Sequence, residues 1–342
     1  MHASPARDRN RQPRIGVDLG GTKIEAVVVE LDPATAASAE ATSAEATSAE
    51  RAHDGPRVLA RGRVATDRGL GYEHVVEATR ALVVDVAKQA GVDAIATPMG
   101  VAMPGSVTTR RPDGGRSDVA LVKNSNTTCL NGRPFHADLA RAVGREIAFS
   151  NDANCFALAE ATWGAARGAR VTFGVILGTG VGGGVVLTGE SGIPRAWDGA
   201  QGIAGEWGHV TLDPDRGPAC YCGRRGCVET YLSGPAIERD YAERSGVTRS
   251  LAEIATRAGE DAIAKALLDE RVEIFGRALA TVIDVLDPDV IVLGGGVSNL
   301  EQLYEAGPPA VARWIFNDEL TTRIVKHALG DSAGVLGAAL LP

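Results

Sequence analysis

His209, Cys220, Cys222 and Cys227 have the residue types and the spacing of a closed metal site. Three thiolates and one imidazole suit tetrahedral Zn²⁺. Because these side chains fill all four ligand positions, the predicted site is structural rather than catalytic. Chance clustering and redox chemistry are the alternatives, and the two other cysteines are predicted to be small buried residues.

A glycine turn near the amino terminus has the composition of a phosphate-binding loop. Its residues are Asp18, Gly20, Gly21, Thr22 and Lys23. Glycine lets backbone N–H groups approach a phosphate closely, and the threonine adds a hydroxyl donor. The aspartate could organise Mg²⁺ through water. An ordinary hairpin turn is the alternative interpretation.

A second glycine turn contains Gly178, Thr179, Gly180 and Gly182. With Gly183 it also matches the spacing of the dinucleotide-binding fingerprint. That fingerprint opens a helix, whereas the residues that follow here have the pattern of a strand. We therefore predict a strand, a glycine turn and a second strand, which disfavours a nicotinamide-dependent dehydrogenase.

A third glycine segment, Gly294, Gly295 and Gly296, follows a predicted strand over 290–293. Without side chains it would let a flat adenosine lie against the backbone. A turn that leads into a helix is the alternative.

Acidic residues at two further places could act on a sugar. Asp152 lies at a predicted strand–helix junction, where it is a candidate N-cap or a base that accepts a hydroxyl proton during phosphoryl transfer. Glu206 and Glu229 bracket the candidate zinc ligands and could bind sugar hydroxyls. Solvated surface charge is the alternative for both glutamates.

The chain has 342 residues, which favours two lobes over one small core. A net charge of -8 disfavours nucleic acid as a partner, because phosphate backbones select basic surfaces. No segment approaches the roughly 20 apolar residues of a membrane helix. No apolar segment follows the polar first fourteen residues, so we expect no signal peptide and a cytoplasmic location.

Strands and helices alternate twice along the chain, which predicts two α/β lobes with a ligand-binding cleft between them. A low-complexity insertion over 34–54 lacks large apolar residues and interrupts the first round. The predicted strands cover 14–18, 24–31, 57–66, 94–102, 146–149, both sides of 178–184, and 290–293. The predicted helices cover 72–90, 135–143, a segment from 153, and 261–286, with a closing strand and helix over 324–341.

Together these motifs resemble the ROK family of bacterial sugar kinases and sugar-responsive repressors. The resemblance runs from about Arg14 to the carboxyl terminus. The elements that carry it are the loop 18–23, Met103-Pro104-Gly105, Asn151-Asp152, the turn 178–184, Glu206-x-Gly208-His209, the segment 220–229 and Gly294 to Gly296.

The resemblance implies a two-lobed, actin-like (ribonuclease H-like) ATPase fold that closes on its ligands. The expected parts are a disordered tail over 1–13, a small α/β lobe over 14–122 and a large α/β lobe over 123–330 that carries the zinc motif. A helix at about 331–342 would pack back on the small lobe. The family also suggests a homodimer.

For function, the resemblance implies that Asp152 is the catalytic base and that the glycine segments bind ATP with Mg²⁺. The sugar ligands would be Asn126, Asn151, Asp152, Glu206, His209 and Glu229. His209 would bind zinc through one ring nitrogen and sugar through the other.

The loop Lys123 to Gly132 and the Cys-Tyr-Cys-Gly form of the zinc motif most resemble the fructokinase or manno(fructo)kinase branch. Fructose is therefore the expected substrate, with N-acetylglucosamine kinase and glucokinase as alternatives. A repressor would need a DNA-binding domain before the first glycine loop, where only thirteen residues precede Arg14. A non-catalytic sugar sensor would lack ATP turnover.

Overall fold

The computed structural model describes residues 11–32, 55–111 and 113–341. The predicted insertion over 34–54 therefore lies outside the described residues, which stop at Asp32 and resume at Gly55. Gln12 and Pro13, which the sequence prediction assigned to the tail, instead pair with Leu31 and Glu30 in the first sheet.

The first sheet contains five strands in the order β3-β2-β1-β4-β7. Strands β1, β2 and β3 form an antiparallel meander, and β4 and β7 continue the sheet in parallel with β1. A separate hairpin, β5–β6, follows β4. The bounds are β1 Gln12–Leu19, β2 Lys23–Leu31, β3 Arg57–Ala65, β4 Met99–Met103, β5 Ser106–Arg110, β6 Arg116–Lys123 and β7 Ala148–Asn151.

The second sheet repeats this arrangement, in the order β10-β9-β8-β11-β12. Its meander is again antiparallel, and β11 and β12 are parallel to β8. The bounds are β8 Val171–Leu177, β9 Val181–Thr188, β10 Pro194–Ala196, β11 Val290–Gly294 and β12 Arg323–Lys326. The predicted duplication of an α/β unit is thus present as two sheets of the same topology.

Helices cover both faces of each sheet. Helices α1 and α2 pack on the outer face of the first sheet, α3 and α10 lie between the sheets, and the others pack beside the second sheet. The bounds are α1 Tyr72–Ala90, α2 Phe135–Val143, α3 Asp152–Trp163, α4 Glu229–Leu232, α5 Gly234–Ser245, α6 Leu251–Arg257, α7 Ala262–Leu286, α8 Gln302–Glu305, α9 Gly307–Ala312 and α10 Ala333–Ala338.

Strand β11 shows how a strand with two covered faces is built. Val290 and Val292 face the core between the sheets, whereas Ile291 and Leu293 face the helices on the other side. Because side chains alternate along a strand, an unbroken apolar run fills both cores. The same alternation in β2 sends Val27 between the sheets and Val28 toward α1.

Two predicted strands have different limits in the structure. The strand expected from Ala94 begins only at Met99, because Asp93 accepts a hydrogen bond from the Ile95 N–H at 2.8 Å and holds a turn before Pro98. The second glycine turn is shorter than predicted. Strand β9 already begins at Val181, and its glycines make room for helix α3, since a β-carbon at Gly184 would clash with the Ala153 carbonyl.

Glycines also set the close contacts between the sheets. A β-carbon at Gly16 in β1 or at Gly100 in β4 would clash with backbone carbonyls of α10. Where α10 meets α3, a β-carbon at Gly337 would clash with the carbonyl oxygen of Cys155. These contacts fix how the first sheet, the two inner helices and the second sheet stack.

We expect Gly337→Ala to lower the free energy of unfolding by about 1–3 kcal/mol, because the added methyl group must push α10 away from α3. Gly259→Ala is the matched control, since no atom lies within 4 Å of its β-carbon position. Urea denaturation of both variants measures the effect. Equal denaturation midpoints for the two variants would show that α10 can move away from α3 without loss of stability.

Candidate functional site

The first glycine turn joins β1 to β2 at residues 20–22. The Gly20 N–H donates to the Lys23 carbonyl at 2.9 Å, and the Thr66 hydroxyl donates to the Gly20 carbonyl at 2.7 Å. The residue that follows β3 therefore stabilises the turn. Thr22 is exposed, and Asp18 lies just before the turn at the end of β1.

Asn126, a predicted sugar ligand, lies beside this turn. A β-carbon at Gly21 would be 3.4 Å from its Oδ1 atom and 3.6 Å from a guanidinium nitrogen of Arg68. Arg68 also donates to the Asn126 carbonyl at 2.7 Å. The structure thus adds a cation to the turn that motif spacing did not indicate, because the segments after β3 and after β6 meet only in the fold.

The second turn, residues 178–180, joins β8 to β9. The Gly178 N–H donates to the Gly180 carbonyl at 2.9 Å, and the Gly234 N–H donates to the Gly178 carbonyl at 2.9 Å. A strand follows the turn, so the helix that a dinucleotide fingerprint requires is not there.

The third glycine segment meets the second turn. Gly295 has a φ of 82°, and a β-carbon there would clash with the carbonyl of Leu177 at the end of β8. Glycine is therefore required at this position for both its backbone angle and its close approach. The second and third predicted nucleotide segments form one corner of the large lobe.

Asp152 lies where the first sheet ends and the first inner helix begins. Asn151 caps helix α3 by accepting a hydrogen bond from the Ala153 N–H at 2.9 Å, and its amide donates to the Gly105 carbonyl at 3.1 Å. The N-cap alternative for Asp152 is therefore wrong, because the helix begins one residue before its expected start at Ala153. Asp152 is the first helical residue and is half-buried.

Four carboxylates lie close enough to influence one another. Burial raises the pKa of Asp18 to about 7, and the negative charge of Asp152 adds to this shift. Burial likewise raises the pKa of Asp152. The pKa of Glu206 is raised first by burial and then by the charges of Asp152 and Glu229. The base candidate thus lies between the first glycine turn and the predicted sugar ligands.

Glu229 connects the sugar ligands to the second turn. Its Oε2 atom accepts a hydrogen bond from the Val181 N–H at 2.9 Å, and a β-carbon at Gly180 would lie only 2.7 Å from it. Glycine at position 180 therefore leaves room for this carboxylate.

The four predicted metal ligands come together in the structure. One ligand atom from each of His209, Cys220, Cys222 and Cys227 lies within 4.8 Å of the others. The Sγ atoms of Cys222 and Cys227 are 3.6 Å apart, close to the edge of about 3.8 Å that follows from a Zn–S bond of about 2.3 Å in a tetrahedron. Nδ1 of His209 faces the Cys220 sulfur at 3.6 Å. This donor set fits Zn²⁺.

Asp198, which the sequence analysis did not single out, holds the segment around Asp152 in place. Its Oδ1 atom accepts hydrogen bonds from the Ser150 hydroxyl at 2.5 Å and from the Asn154 amide at 2.8 Å. These partners stand two residues before and two residues after Asp152. Asn154 in turn accepts a hydrogen bond from the Val185 N–H at 2.9 Å, which connects the segment that contains Asp152 to the second sheet. No motif marks Asp198, since its partners are distant in sequence.

Comparison with known proteins places the chain in a family. The sequence matches the ROK family over residues 14–342. This chain belongs to the ROK family. The N-acetyl-D-glucosamine kinase of Photobacterium profundum is 35% identical over 293 residues, which cover 83% of this chain and 91% of that protein.

Two solved structures resemble this ROK protein along most of its length. The ROK hexokinase from Thermus thermophilus has a TM-score of 0.73 and 33% identity, with 96% of this chain and 97% of that chain covered. A ROK glucokinase from Streptomyces griseus in complex with glucose and AMPPNP has a TM-score of 0.70 and 27% identity, with 96% and 98% covered. The predicted two-lobed, actin-like fold is confirmed. Within the described residues no helix is long and apolar enough to cross a membrane.

The raised pKa of Asp18 predicts a pH-dependent stability. Its folded pKa of about 7 lies above the ordinary value of 3.8, so the stability present near pH 4 is lost as the pH rises through 7. We expect Asp18→Asn to raise the free energy of unfolding by about 1–3 kcal/mol at pH 8 and by less than half of that at pH 5.

Urea denaturation at the two pH values, without nucleotide, measures this difference. Asp118→Asn, which changes an exposed aspartate on β6, is the control. A gain that is the same at pH 5 and pH 8 would contradict the proposed cost of ionising Asp18.

The predicted metal ligands give a further prediction. We expect one zinc ion per purified chain by elemental analysis, and its loss together with a lower melting temperature in Cys227→Ser, whose side chain is fully buried. Cys129→Ser, outside the ligand cluster, should retain the metal. A folded wild-type protein without stoichiometric zinc would refute the site.

Proposed function

We propose that this ROK protein is an ATP-dependent hexose kinase. The observation that carries the proposal is the position of Asp152, whose charge raises the pKa of both Asp18 at the first glycine turn and Glu206 among the predicted sugar ligands. A carboxylate in that position can act on a sugar hydroxyl while a phosphate lies at the turn.

ATP would lie across the cleft, with its phosphates at the backbone N–H groups of the two turns and its adenosine against Gly294 to Gly296. The joined second and third glycine segments support this placement, because side chains are absent where the nucleotide would approach. Lys23 and Arg68 supply positive charge near the first turn. Mg²⁺ would be held near Asp18 and would neutralise phosphate charge when bound.

In the proposed reaction Asp152 accepts the proton of a sugar hydroxyl as that oxygen attacks the γ-phosphorus of ATP. The new P–O bond forms on the sugar, the bond to the β-phosphate oxygen breaks, and ADP leaves with that electron pair. The raised pKa makes Asp152 a stronger base. Its place in the first turn of α3 and the Ala153 N–H partly offset the cost of its ionised form.

Asn151, Glu206, His209 and Glu229 would hold the sugar. Carboxylates and an imidazole offer acceptors and donors to adjacent hydroxyl groups. The zinc motif would fix the orientation of His209, since its Nδ1 atom faces the thiolates and its Nε2 atom is free of them. Asn126 would contribute from the loop after β6, beside the first turn.

N-acetylglucosamine is the first candidate substrate. The named relative from Photobacterium profundum is a kinase for this sugar, and most of both chains aligns with it. Fructose is the second candidate, on the resemblance of the loop Lys123 to Gly132 and of the Cys-Tyr-Cys-Gly motif to the fructokinase branch.

A coupled ADP-release assay with N-acetylglucosamine, fructose, mannose and glucose distinguishes these candidates. We expect the highest kcat/KM for N-acetylglucosamine. A preference for fructose would favour the loop resemblance over the named relative. If none of the four sugars supports ATP turnover, the protein is not a hexose kinase of this class. A purified protein that binds sugar but does not turn over ATP would be a sensor.

We expect Asp152→Asn to lower kcat by at least about a hundredfold, because the amide cannot accept the proton. Sugar affinity, measured by calorimetry, should change by less than about threefold. Asp118→Asn should leave both quantities unchanged. A folded Asp152→Asn protein with more than a tenth of the wild-type kcat would remove Asp152 from this role.

A further inference from the structure

Tyr221 lies between two metal ligands and has no role in the proposed reaction so far. Its hydroxyl lies 3.0 Å from Nε2 of His209, and the two rings are perpendicular with centroids 5.2 Å apart. This is the ring nitrogen that the metal ligands leave available, because Nδ1 faces the thiolates. The tyrosine hydroxyl therefore occupies the inner side of the sugar-binding corner.

Two carboxylates, those of Glu229 and Glu206, lie near the same hydroxyl. A tyrosine hydroxyl can donate one hydrogen bond and accept others. Its oxygen can accept from the Nε2–H of His209, since an imidazole that binds a metal through Nδ1 carries its proton on Nε2.

The rest of the side chain faces outward. Tyr221 is 68% exposed, although its hydroxyl is directed toward His209. An exposed aromatic ring beside carboxylates offers an apolar face to the C–H groups of a sugar, and its coverage by ligand removes that surface from water. The hydroxyl of Tyr221 thus suits the polar groups of a sugar, and its ring suits the apolar C–H surface.

We propose that Tyr221 is an additional sugar-binding and specificity-determining residue, whose hydroxyl joins His209 to a sugar oxygen and whose ring forms the outer wall of the corner. The proposal rests on the proposed kinase function. The tyrosine would select among hexoses by the position of the oxygen that receives its hydrogen bond, because an epimer leaves that donor unpaired.

Tyr221→Phe and Tyr221→Ala test the proposal with the sugar that the wild-type protein phosphorylates best. We expect Tyr221→Phe to raise the KM for sugar about threefold to tenfold, as for the loss of one hydrogen bond. Tyr221→Ala should raise it more, because the wall is also lost. The KM for ATP should stay within about twofold of wild type, and the preference over the other hexoses should decrease.

Two controls separate a sugar contact from a structural role. Zinc content should be equal in wild type and Tyr221→Phe, which shows that the ligand cluster is intact. Phe316→Ala removes another exposed aromatic ring, 96% exposed, and should change neither KM. Equilibrium binding of the sugar by calorimetry should weaken in parallel with KM.

The outcomes distinguish this inference from the function on which it rests. A wild-type protein that phosphorylates no hexose refutes the proposed function. A wild-type kinase whose Tyr221→Phe and Tyr221→Ala variants keep the sugar KM refutes the inference alone. A lower sugar KM in Tyr221→Phe also overturns it, since the hydroxyl would then occupy a position that the sugar needs.

Discussion

Repulsion among the carboxylates of Asp18, Asp152, Glu206 and Glu229 is the constraint on which the rest of the site depends. Burial already disfavours the ionised forms of Asp18, Asp152 and Glu206. The backbone N–H of Ala153 offsets part of this cost for Asp152, and the Val181 N–H donates to the carboxylate of Glu229. Such a group of acidic side chains would suit the metal ion and the sugar hydroxyl of the proposed reaction.

The fold holds these charges together by stacking two similar sheets on a thin layer of two helices. Each sheet ends at the cleft with a glycine turn, and helix α3 begins there with Asp152. Close glycine contacts at Gly16, Gly100 and Gly337 leave little freedom between the layers. The positions of the carboxylates are therefore set by backbone packing as well as by local hydrogen bonds such as those of Asp198.

Local patterns were sufficient to predict much of this architecture. The predicted metal ligands, both glycine turns and Asp152 stand in short motifs, and the apolar runs predicted most strands of the two sheets. Contacts between distant segments were not predictable in this way. The hairpin β5–β6 was missed although Asp113-Gly114 is a turn signal, and the partners of Asp198 come from β7 and α3. The contact between Tyr221 and His209 was not predicted either, because the direction of the tyrosine side chain depends on how the segment 220–227 folds.

The close contact of α10 with the first sheet also constrains the order of events during synthesis. Gly16 and Gly100 belong to strands near the start of the chain, but the helix that covers them spans Ala333–Ala338. Arg14 also donates to the Leu341 carbonyl at 2.8 Å, although 327 positions separate these residues. While the ribosome is still adding residues before 333, the inner face of β1 and β4 lacks the helix that contacts Gly16 and Gly100. The amino-terminal lobe therefore reaches its final packing only after residues 333–341 have emerged.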